Sequence, residues 1–249
     1  MEYVILQHTE HLPAGALGEI LEQRRRPVRT VRLWEGEPVP AFSAGGLRGL
    51  VVLGSLRPVD AVARDAERAL LGACVEAEVP VLGIGLGAQL LAEATGGGCV
   101  PGAGAIGYVP LTRTGEAADD PVFAPYPDGM PALMLDPDAL APARSAVVLA
   151  RSADGAVAAF RVGQSAYGIG FHAQLDASLV AGLVTALDFP GLDALVAQAQ
   201  RRAPFHLGMG AALLGRWVDA VVGRTPEEQP WGRRGPQPVP AAGLTLHPA

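Results

Sequence analysis

The sequence contains no lysine, and all 19 of its basic side chains are arginine. With 25 acidic residues the formal net charge is −6, which argues against a surface that binds nucleic acid. The missing lysine accompanies an abundance of alanine, glycine and proline. We interpret this bias as the result of GC-rich coding, and it carries no information on function.

Cysteine is scarce, and long apolar runs are missing. Cys74 and Cys99 form neither a disulfide framework nor a metal-binding pattern. No apolar run reaches the roughly 18 residues that cross a membrane. The N-terminal residues 1–8 have no basic region or cleavage site and predict a first strand rather than a signal peptide. We therefore expect a cytoplasmic protein with no metal, no cofactor and no membrane contact.

The residues that are present predict a globular α/β protein. Hydrophobic residues make up 49% of the 249 positions and charged residues 18%, which is typical of a packed core. Strand-like runs at 4–7, 28–34 and 50–54 alternate with helical spacings at 14–25 and 62–77, the latter with Ala66, Leu70, Ala73 and Cys74 on one face. This order predicts βαβ units and an open, mostly parallel sheet with helices on both faces.

After residue 96 the pattern changes to short strand-like runs at 106–112, 132–135, 146–150, 157–162 and 167–171. Helical spacing returns at 175–187, and two further helices are predicted at 192–202 and 207–222. Residues 224–249 contain six prolines and little periodicity, which predicts a tail. The expected organisation is a main domain at 1–190, a helical extension packed on it at 191–223, and the Pro-rich tail.

One stretch has the layout of a nucleophile elbow, in which a strand, a sharp turn and a helix follow directly on one another. The apolar run 79–84 ends in a glycine-rich turn, and helical spacing begins near Leu86. The residue at the tip of this turn is Gly85, which has no side chain and cannot act as a nucleophile.

Several stretches in the same order resemble the class I glutamine amidotransferases of the GMP-synthase-like type, over roughly residues 3–190. They are residues 52–55, the elbow, 106–108, 119–123 and 167–174. The resemblance implies a flavodoxin-like fold with added C-terminal helices. It also implies a Cys-His-Glu triad that hydrolyses the glutamine amide and supplies ammonia to a synthase.

The departures from that family lie at the catalytic positions. Gly85 stands at the position of the Cys, His172 matches the triad histidine, and Gln174 stands where the family has Glu. The oxyanion loop Gly-Gly-Pro is replaced by residues 54–56, Gly-Ser-Leu. A family Trp-His-Gly-Asp stretch is replaced by residues 135–138, Leu-Asp-Pro-Asp. Both cysteines are interpreted as packing residues, so neither replaces the nucleophile.

The residues expected to bind a ligand surround these positions. They are Gly54, Ser55, Leu86, Gln89, Asp136, Asp138 and His8. Asp136 and Asp138 could act with His172 to hold a metal or in acid–base chemistry, although a solvated Asp-Pro turn is the favoured interpretation. His8 follows the first strand, whose end faces the ligand crevice of such sheets; a polar loop residue is nevertheless the favoured interpretation.

Two hypotheses about function follow. The first is a pseudoenzyme that has lost the glutaminase triad and has a binding, regulatory or scaffold role in a biosynthetic pathway. Its expected partners are an amino-acid or glutamine-like ligand and either a partner enzyme or a second copy. The alternative is a hydrolase, lyase or cyclase that uses the same cleft, with His172 as acid or base. An open cavity lined by His172 and a carboxylate would favour the alternative.

Overall fold

The computed structural model describes residues 2–43, 45–55, 59–187 and 192–222. Leu56 of the expected oxyanion loop, the predicted boundary at residue 190 and the Pro-rich tail lie outside these residues. Within the described ranges, no helix combines the length and the apolar character needed to cross a membrane.

The first part of the sheet is parallel. Its strands are β1 (Glu2–Gln7), β2 (Val28–Arg32), β3 (Leu47–Val52), β4 (Val81–Ile84) and β11 (Ala166–Ile169), in the spatial order β2-β1-β3-β4-β11. All four neighbouring pairs run parallel. Parallel crossovers need long connections, usually helices, and these are α1 (Gly15–Gln23), α2 (Ala61–Glu76) and α3 (Leu86–Ala94).

Alternate side chains of β1 show that helices cover both faces of this sheet. Tyr3 and Ile5 belong to one apolar cluster, which includes Leu17 of α1. Val4 and Leu6 belong to a second cluster, formed with side chains of α2 and α3. Successive side chains of a strand point to opposite faces, so the two clusters lie on opposite sides of the sheet. The predicted fold, an open and mostly parallel sheet between helices, is confirmed.

Helix α2 begins at a capping residue and buries a face different from the one predicted. The Asp60 carboxylate accepts hydrogen bonds from the backbone N–H groups of Val62 and Ala63, both at 3.0 Å. The buried side chains of α2 are Glu67, Leu70, Leu71 and Cys74. Ala66 is exposed, so its predicted place on the buried face is wrong. The predicted helical period was correct, but the buried face of α2 is rotated by about one residue relative to the prediction, so that it includes Glu67 instead of Ala66.

The second part of the sheet is antiparallel. Its main strands are β6 (Ala105–Arg113), β7 (Met130–Asp136), β9 (Val147–Ser152) and β10 (Val157–Val162), in the order β11-β10-β9-β6-β7. Two short strands, β5 (Gly98–Val100) and β8 (Ala139–Ala141), pair with each other. Strand β11 pairs with β4 on one side and with β10 on the other. It therefore places the residues that follow it beside the end of β4.

A buried carboxylate joins the loop before β7 to β10 and β11. Asp120 is 2% exposed and accepts hydrogen bonds from the backbone N–H groups of Val122 and Phe123. Arg161 Nε donates to it at 2.9 Å and the Tyr167 hydroxyl donates at 3.2 Å. Buried charges are tolerated when they are paired and hydrogen-bonded. The buried carboxylate therefore holds together residues 119–123 and 167–174, two of the stretches on which the family resemblance depends.

The C-terminal helices are α4 (Ala177–Leu187) and α5 (Leu192–Arg216), and a π-helical segment (Trp217–Val222) follows α5. Helix α5 packs against α1 and α4. The prediction of two helices at 192–202 and 207–222 is wrong, since α5 runs through Pro204. An interior proline costs about 3 kcal/mol, whereas each fully buried large apolar side chain contributes about 1.5–3 kcal/mol. Leu195 and Leu213, buried on either side of Pro204, offset that cost.

Candidate functional site

The chain turns sharply between β4 and α3, and Gly85 forms the tip of the turn. Its φ of 57° and ψ of −116° lie where residues with side chains are rarely found, whereas glycine adopts them at little cost. The Gly85 N–H donates to the Ile169 carbonyl and the Gly85 carbonyl accepts from Ala88 N–H, both at 2.9 Å. The strand, turn and helix of an elbow are therefore present.

A second glycine allows α3 to approach the sheet closely. A Cβ atom on Gly87 would lie 2.0 Å from the carbonyl oxygen of Val52, a distance that non-bonded atoms do not reach. No side chain fits at this position, so the first turn of α3 packs directly on β3. The N-terminal N–H groups of α3, which have no partner within the helix, begin at the elbow tip.

The imidazole of His172 lies beside that tip. A Cβ atom on Gly85 would lie 3.1 Å from His172 Nε2, and one on Gly54 would lie 2.7 Å from His172 Cε1. The ring thus fills the space that these two glycines leave open. The three residues follow β3, β4 and β11, which are neighbours in the parallel part of the sheet. Their convergence results from the parallel order, because the carboxyl ends of such strands meet at one edge.

The amide of Gln174 lies against one nitrogen of the His172 ring. Gln174 Nε2 lies 3.3 Å from His172 Nδ1, and the two residues are 0% and 2% exposed. An amide can hydrogen-bond an imidazole through its NH₂ group or its carbonyl oxygen, and it carries no charge in either orientation. A carboxylate at position 174 would instead accept from Nδ1–H and stabilise a protonated ring.

The other end of the Gln174 amide has no partner. Its Oε1 atom is buried without a hydrogen-bond partner among the described residues. A buried unpaired polar group costs about 1–3 kcal/mol, so this amide is held in place at some cost to stability.

An acidic turn lies across the cleft from the elbow. Gln89 Nε2 donates to Asp136 Oδ2 at 2.5 Å, and the Asp138 N–H donates to Asp136 Oδ1 at 3.0 Å. Burial raises the pKa of Asp136, while these two hydrogen bonds act in the opposite direction. The bond from Asp138 closes the Asp-Pro turn that the sequence predicts. The bond from Gln89 joins the same carboxylate to the elbow helix.

The space between the elbow and the acidic turn is narrow. Gly85, Gln89, Met134, Asp136 and Leu140 are among the residues that line it. Its cavity volume of about 10 Å³ is close to the minimum for a single water molecule. Among the described residues, His172 does not line this space. Nor do three or more histidines, cysteines or carboxylates gather there in a metal-binding arrangement.

Comparison with known proteins agrees with this geometry. A family model described as Peptidase C26 matches residues 55–106, which include α2, β4 and the elbow. A glutamine amidotransferase from Thermotoga maritima superposes with a TM-score of 0.76 and 20% identity, over 88% of this chain and 98% of that one. A glutamine amido transferase from Methylobacillus flagellatus gives a TM-score of 0.76 and 21% identity, over 88% and 95%.

This chain has the glutamine amidotransferase fold. A further structure, from Thermoplasma acidophilum and assigned as part of a GMP synthase, superposes with a TM-score of 0.56 at 16% identity, over 88% of this chain and 96% of that one. No curated protein sequence matches the chain. The expected likeness to glutamine amidotransferases thus holds at the level of the fold.

Within the glutamine amidotransferase fold, the other expected ligand contacts have different environments. Ser55 is half-buried at the end of the described range 45–55. The Leu86 side chain is 8% exposed and belongs to the apolar cluster of α2 and α3. Only the backbone of Leu86 therefore faces the elbow turn. The ligand-binding roles of both residues stay predictions.

The His8 side chain is buried, although the residue lies in the loop between β1 and α1 as the favoured interpretation expected. Its Nε2 lies 3.1 and 3.0 Å from the two carboxylate oxygens of Glu67, and the two side chains are 2% and 0% exposed. Sequence reasoning missed Glu67. The available signal was its position, three residues before Leu70 and seven before Cys74, which places a carboxylate on the apolar face of α2.

Neither cysteine of this glutamine amidotransferase fold is a reactive thiol. Cys74 is buried in α2, and Cys99 is half-buried in β5. Burial raises the pKa of each thiol to about 12. Because the thiolate is the nucleophilic form, both side chains stay protonated and unreactive near neutral pH.

Proposed function

We propose that this protein is a glutamine amidotransferase-like pseudoenzyme, which keeps the fold and the elbow but does not hydrolyse glutamine. It acts as a scaffold or regulatory protein beside an enzyme of a biosynthetic pathway. The observation that carries this proposal is the elbow tip: the residue there is Gly85, and the His172 ring fills the adjacent space.

Amide hydrolysis by a covalent route needs a nucleophile at the elbow tip. In a serine protease, removal of the triad nucleophile lowers kcat by on the order of a millionfold. Gly85 supplies no sulfur or oxygen. The cysteines do not replace it, because their thiols stay protonated.

The arrangement around His172 supports the same proposal. The side chain beside His172 Nδ1 is the neutral amide of Gln174, at 3.3 Å. In triad chemistry a carboxylate at this place orients the imidazole and stabilises the imidazolium that forms when the ring takes up a proton. An amide does not stabilise that charge, so the ring is a weaker general base independently of the residue at position 85.

The size of the cleft supports a pseudoenzyme over a rebuilt reaction. A new hydrolase, lyase or cyclase needs room for its substrate, and ligand pockets usually measure about 300–1,000 Å³. The cavity beside Gly85 measures about 10 Å³. An amino acid or a glutamine-like ligand could enter only if the cleft widened, which favours a scaffold or regulatory role.

A partner protein follows from this role. The structure from Thermoplasma acidophilum is assigned as part of a GMP synthase, and a protein without turnover of its own needs another protein to act on. The candidates are a synthase-type enzyme and a second copy of this chain. Light scattering of the purified protein will show by its molar mass whether the chain binds a second copy of itself.

The decisive experiment measures ammonia release from glutamine and from γ-glutamyl compounds. We expect no release above the protein-free background for the natural chain. Gly85→Cys alone should stay near the background, because its Cβ crowds His172 Nε2 and no carboxylate is present at position 174 to orient the ring. Gly85→Cys combined with Gln174→Glu should exceed either single variant.

Gly85→Ser is the matched control, since it adds a side chain of similar size without a thiol. Release of ammonia by the natural chain at an ordinary enzymatic rate, abolished by His172→Ala, would contradict the proposal. Full activity of the Gly85→Cys variant alone would show that the rest of the site is intact. Titration calorimetry with glutamine will show whether the cleft widens to bind a ligand.

A further inference from the structure

The outer side of helix α5 is apolar and basic at the same time. Its exposed and half-buried residues recur at spacings of three and four, so they share one face of the helix. Phe205 on this face is 70% exposed, which is unusual for a large apolar side chain. The face, called the α5 face below, consists of Arg201, Arg202, Phe205, Met209, Ala212 and Arg216.

A depression continues the apolar part of the α5 face. Met209 and Ala212 border it together with Val122, Pro125 and Tyr126, and its cavity volume is about 90 Å³. That is several times the volume that one water molecule needs. Exposed apolar surface with a depression beside it is typical of a surface that contacts another protein.

The α5 face carries a surplus of positive charge. None of its three arginines forms an ion pair with a described residue. Asp219, which follows the face, is paired with Arg24. Asp119, three residues before Val122, is exposed and offsets one of the three charges. A protein surface that complements the α5 face is therefore apolar and acidic.

The mouth of the cleft beside the elbow has that character. Three carboxylates line it, those of Asp136, Asp138 and Asp154. None of the three forms an ion pair within the described part of the chain. The adjoining residues 100–103, Val-Pro-Gly-Ala, are all exposed and uncharged, and Val100 is 49% exposed. Residues 100–103 and the three aspartates are called the acidic rim below.

The acidic rim is held in a fixed shape. The Gly102 N–H donates to Asp138 Oδ1 at 3.0 Å, and the Gly104 N–H donates to the Pro137 carbonyl at 2.7 Å. These bonds attach the turn between β5 and β6 to the acidic turn between β7 and β8. A surface that is already ordered loses little conformational entropy when a partner binds.

The arginines near the acidic rim do not neutralise it. Arg64 is paired with Glu93. The Arg151 Nη1 atom donates to the Gly155 carbonyl at 2.9 Å, and Arg144 follows β8 at the end remote from the rim. The rim therefore keeps a surplus of negative charge.

The α5 face and the acidic rim are close to each other but separate. The Arg202 guanidinium lies over the Tyr108 ring, 5.9 Å from its centre. Tyr108 is three residues, or about 10 Å, along β6 from Ala105, which pairs with Asp136 of the rim. Charges at that distance are largely screened at physiological ionic strength. Within one chain, each surface thus stays available to a partner.

We propose that two copies of this chain pair about a two-fold axis, with the α5 face of each copy against the acidic rim of the other. Two-fold pairing repeats every contact, so two complementary surfaces on one chain satisfy each other twice. The pairing covers Phe205 and closes the mouth of the cleft. The inference rests on the proposed scaffold function, because it names a second copy as the partner. Ammonia release tests that function and molar mass tests the pairing, so the two can fail separately.

Light scattering of the full chain over a range of concentrations tests the pairing. We expect a molar mass of twice 25.6 kDa that falls to the single value on dilution. Val100→Arg makes the rim positive, and Arg201→Glu with Arg216→Glu makes the α5 face negative. Each variant then brings like charges together. Each should raise the dissociation constant at least about tenfold, which corresponds to 1.4 kcal/mol.

An equal mixture of the two variants is the decisive sample. The new arginine of one chain then meets the new glutamates of the other, and the second contact is the natural one. The mixture should therefore pair about as tightly as the natural chain. Val62→Arg and Arg48→Glu are the matched controls, because both positions are exposed outside the two surfaces, and they should leave the dissociation constant unchanged.

Circular dichroism will show that every variant is folded before its molar mass is compared. A natural chain that is monomeric at every concentration would overturn the proposal, and would leave a different protein as the partner of these surfaces. Pairing of either charge-reversed variant as tight as that of the natural chain would also overturn it. So would a mixture that stays monomeric where the natural chain is dimeric.

Discussion

Replacing Gly85 by alanine tests whether the elbow tip is both strained and crowded. The positive φ of this residue costs a side chain about 1–2 kcal/mol. The new Cβ would also lie 3.1 Å from His172 Nε2, and overpacking at buried positions costs about 1–3 kcal/mol. Alanine also lowers the conformational entropy of the unfolded chain, which stabilises the folded state by about 0.4–1 kcal/mol. We therefore expect Gly85→Ala to lower the free energy of unfolding by about 1–4 kcal/mol.

A double-mutant cycle separates the two contributions. His172→Ala removes the ring, so Gly85→Ala in that background should lose the crowding contribution and keep only the cost of the positive φ. The difference between the two costs should be about 1–3 kcal/mol, measured by urea unfolding followed by circular dichroism.

Gly182→Ala is the control for this cycle. It lies inside α4, and a Cβ there would meet no atom within 4 Å, so it should stabilise the protein by up to about 1 kcal/mol. An equal cost of Gly85→Ala with and without the His172 ring would refute the claim that this ring fills the space at the elbow tip.

Two further predictions concern carboxylates. The pKa of Asp136 is raised by burial, so the folded state holds this proton more tightly than the unfolded chain, and stability falls as rising pH removes it. Asp136→Asn should therefore raise the denaturant midpoint more at neutral pH than at acid pH; an equal change at both would contradict this. Asp60→Ala removes the cap of α2 and should cost about 0.5–2 kcal/mol in thermal or urea unfolding. Its control Asp65→Ala, on the exposed face, should change stability by less than about 0.5 kcal/mol, and equal losses in both would exclude a capping role.

The catalytic positions show how much of the site the sequence could predict. The elbow was predictable because a strand, a turn and a helix are local patterns of residue type. The approach of Gly54 and His172 to Gly85 was implied by the family resemblance, since the strand pattern predicted parallel order only for the first 95 residues. The burial of Gln174 and its 3.3 Å contact with His172 Nδ1 were not predictable, since they depend on packing between residues of different strands and helices.

The helical period of the sequence determined where α2 lies, and the alternation of apolar runs determined the parallel sheet. Both follow from the geometry of neighbouring residues along the chain. Tertiary structure alone decided that Glu67 rather than Ala66 is buried, that His8 pairs with it, and that α5 continues through Pro204. It also decided that the cleft is narrow. These features depend on the packing of residues far apart in sequence, whose energies outweigh local preferences of about 1–3 kcal/mol.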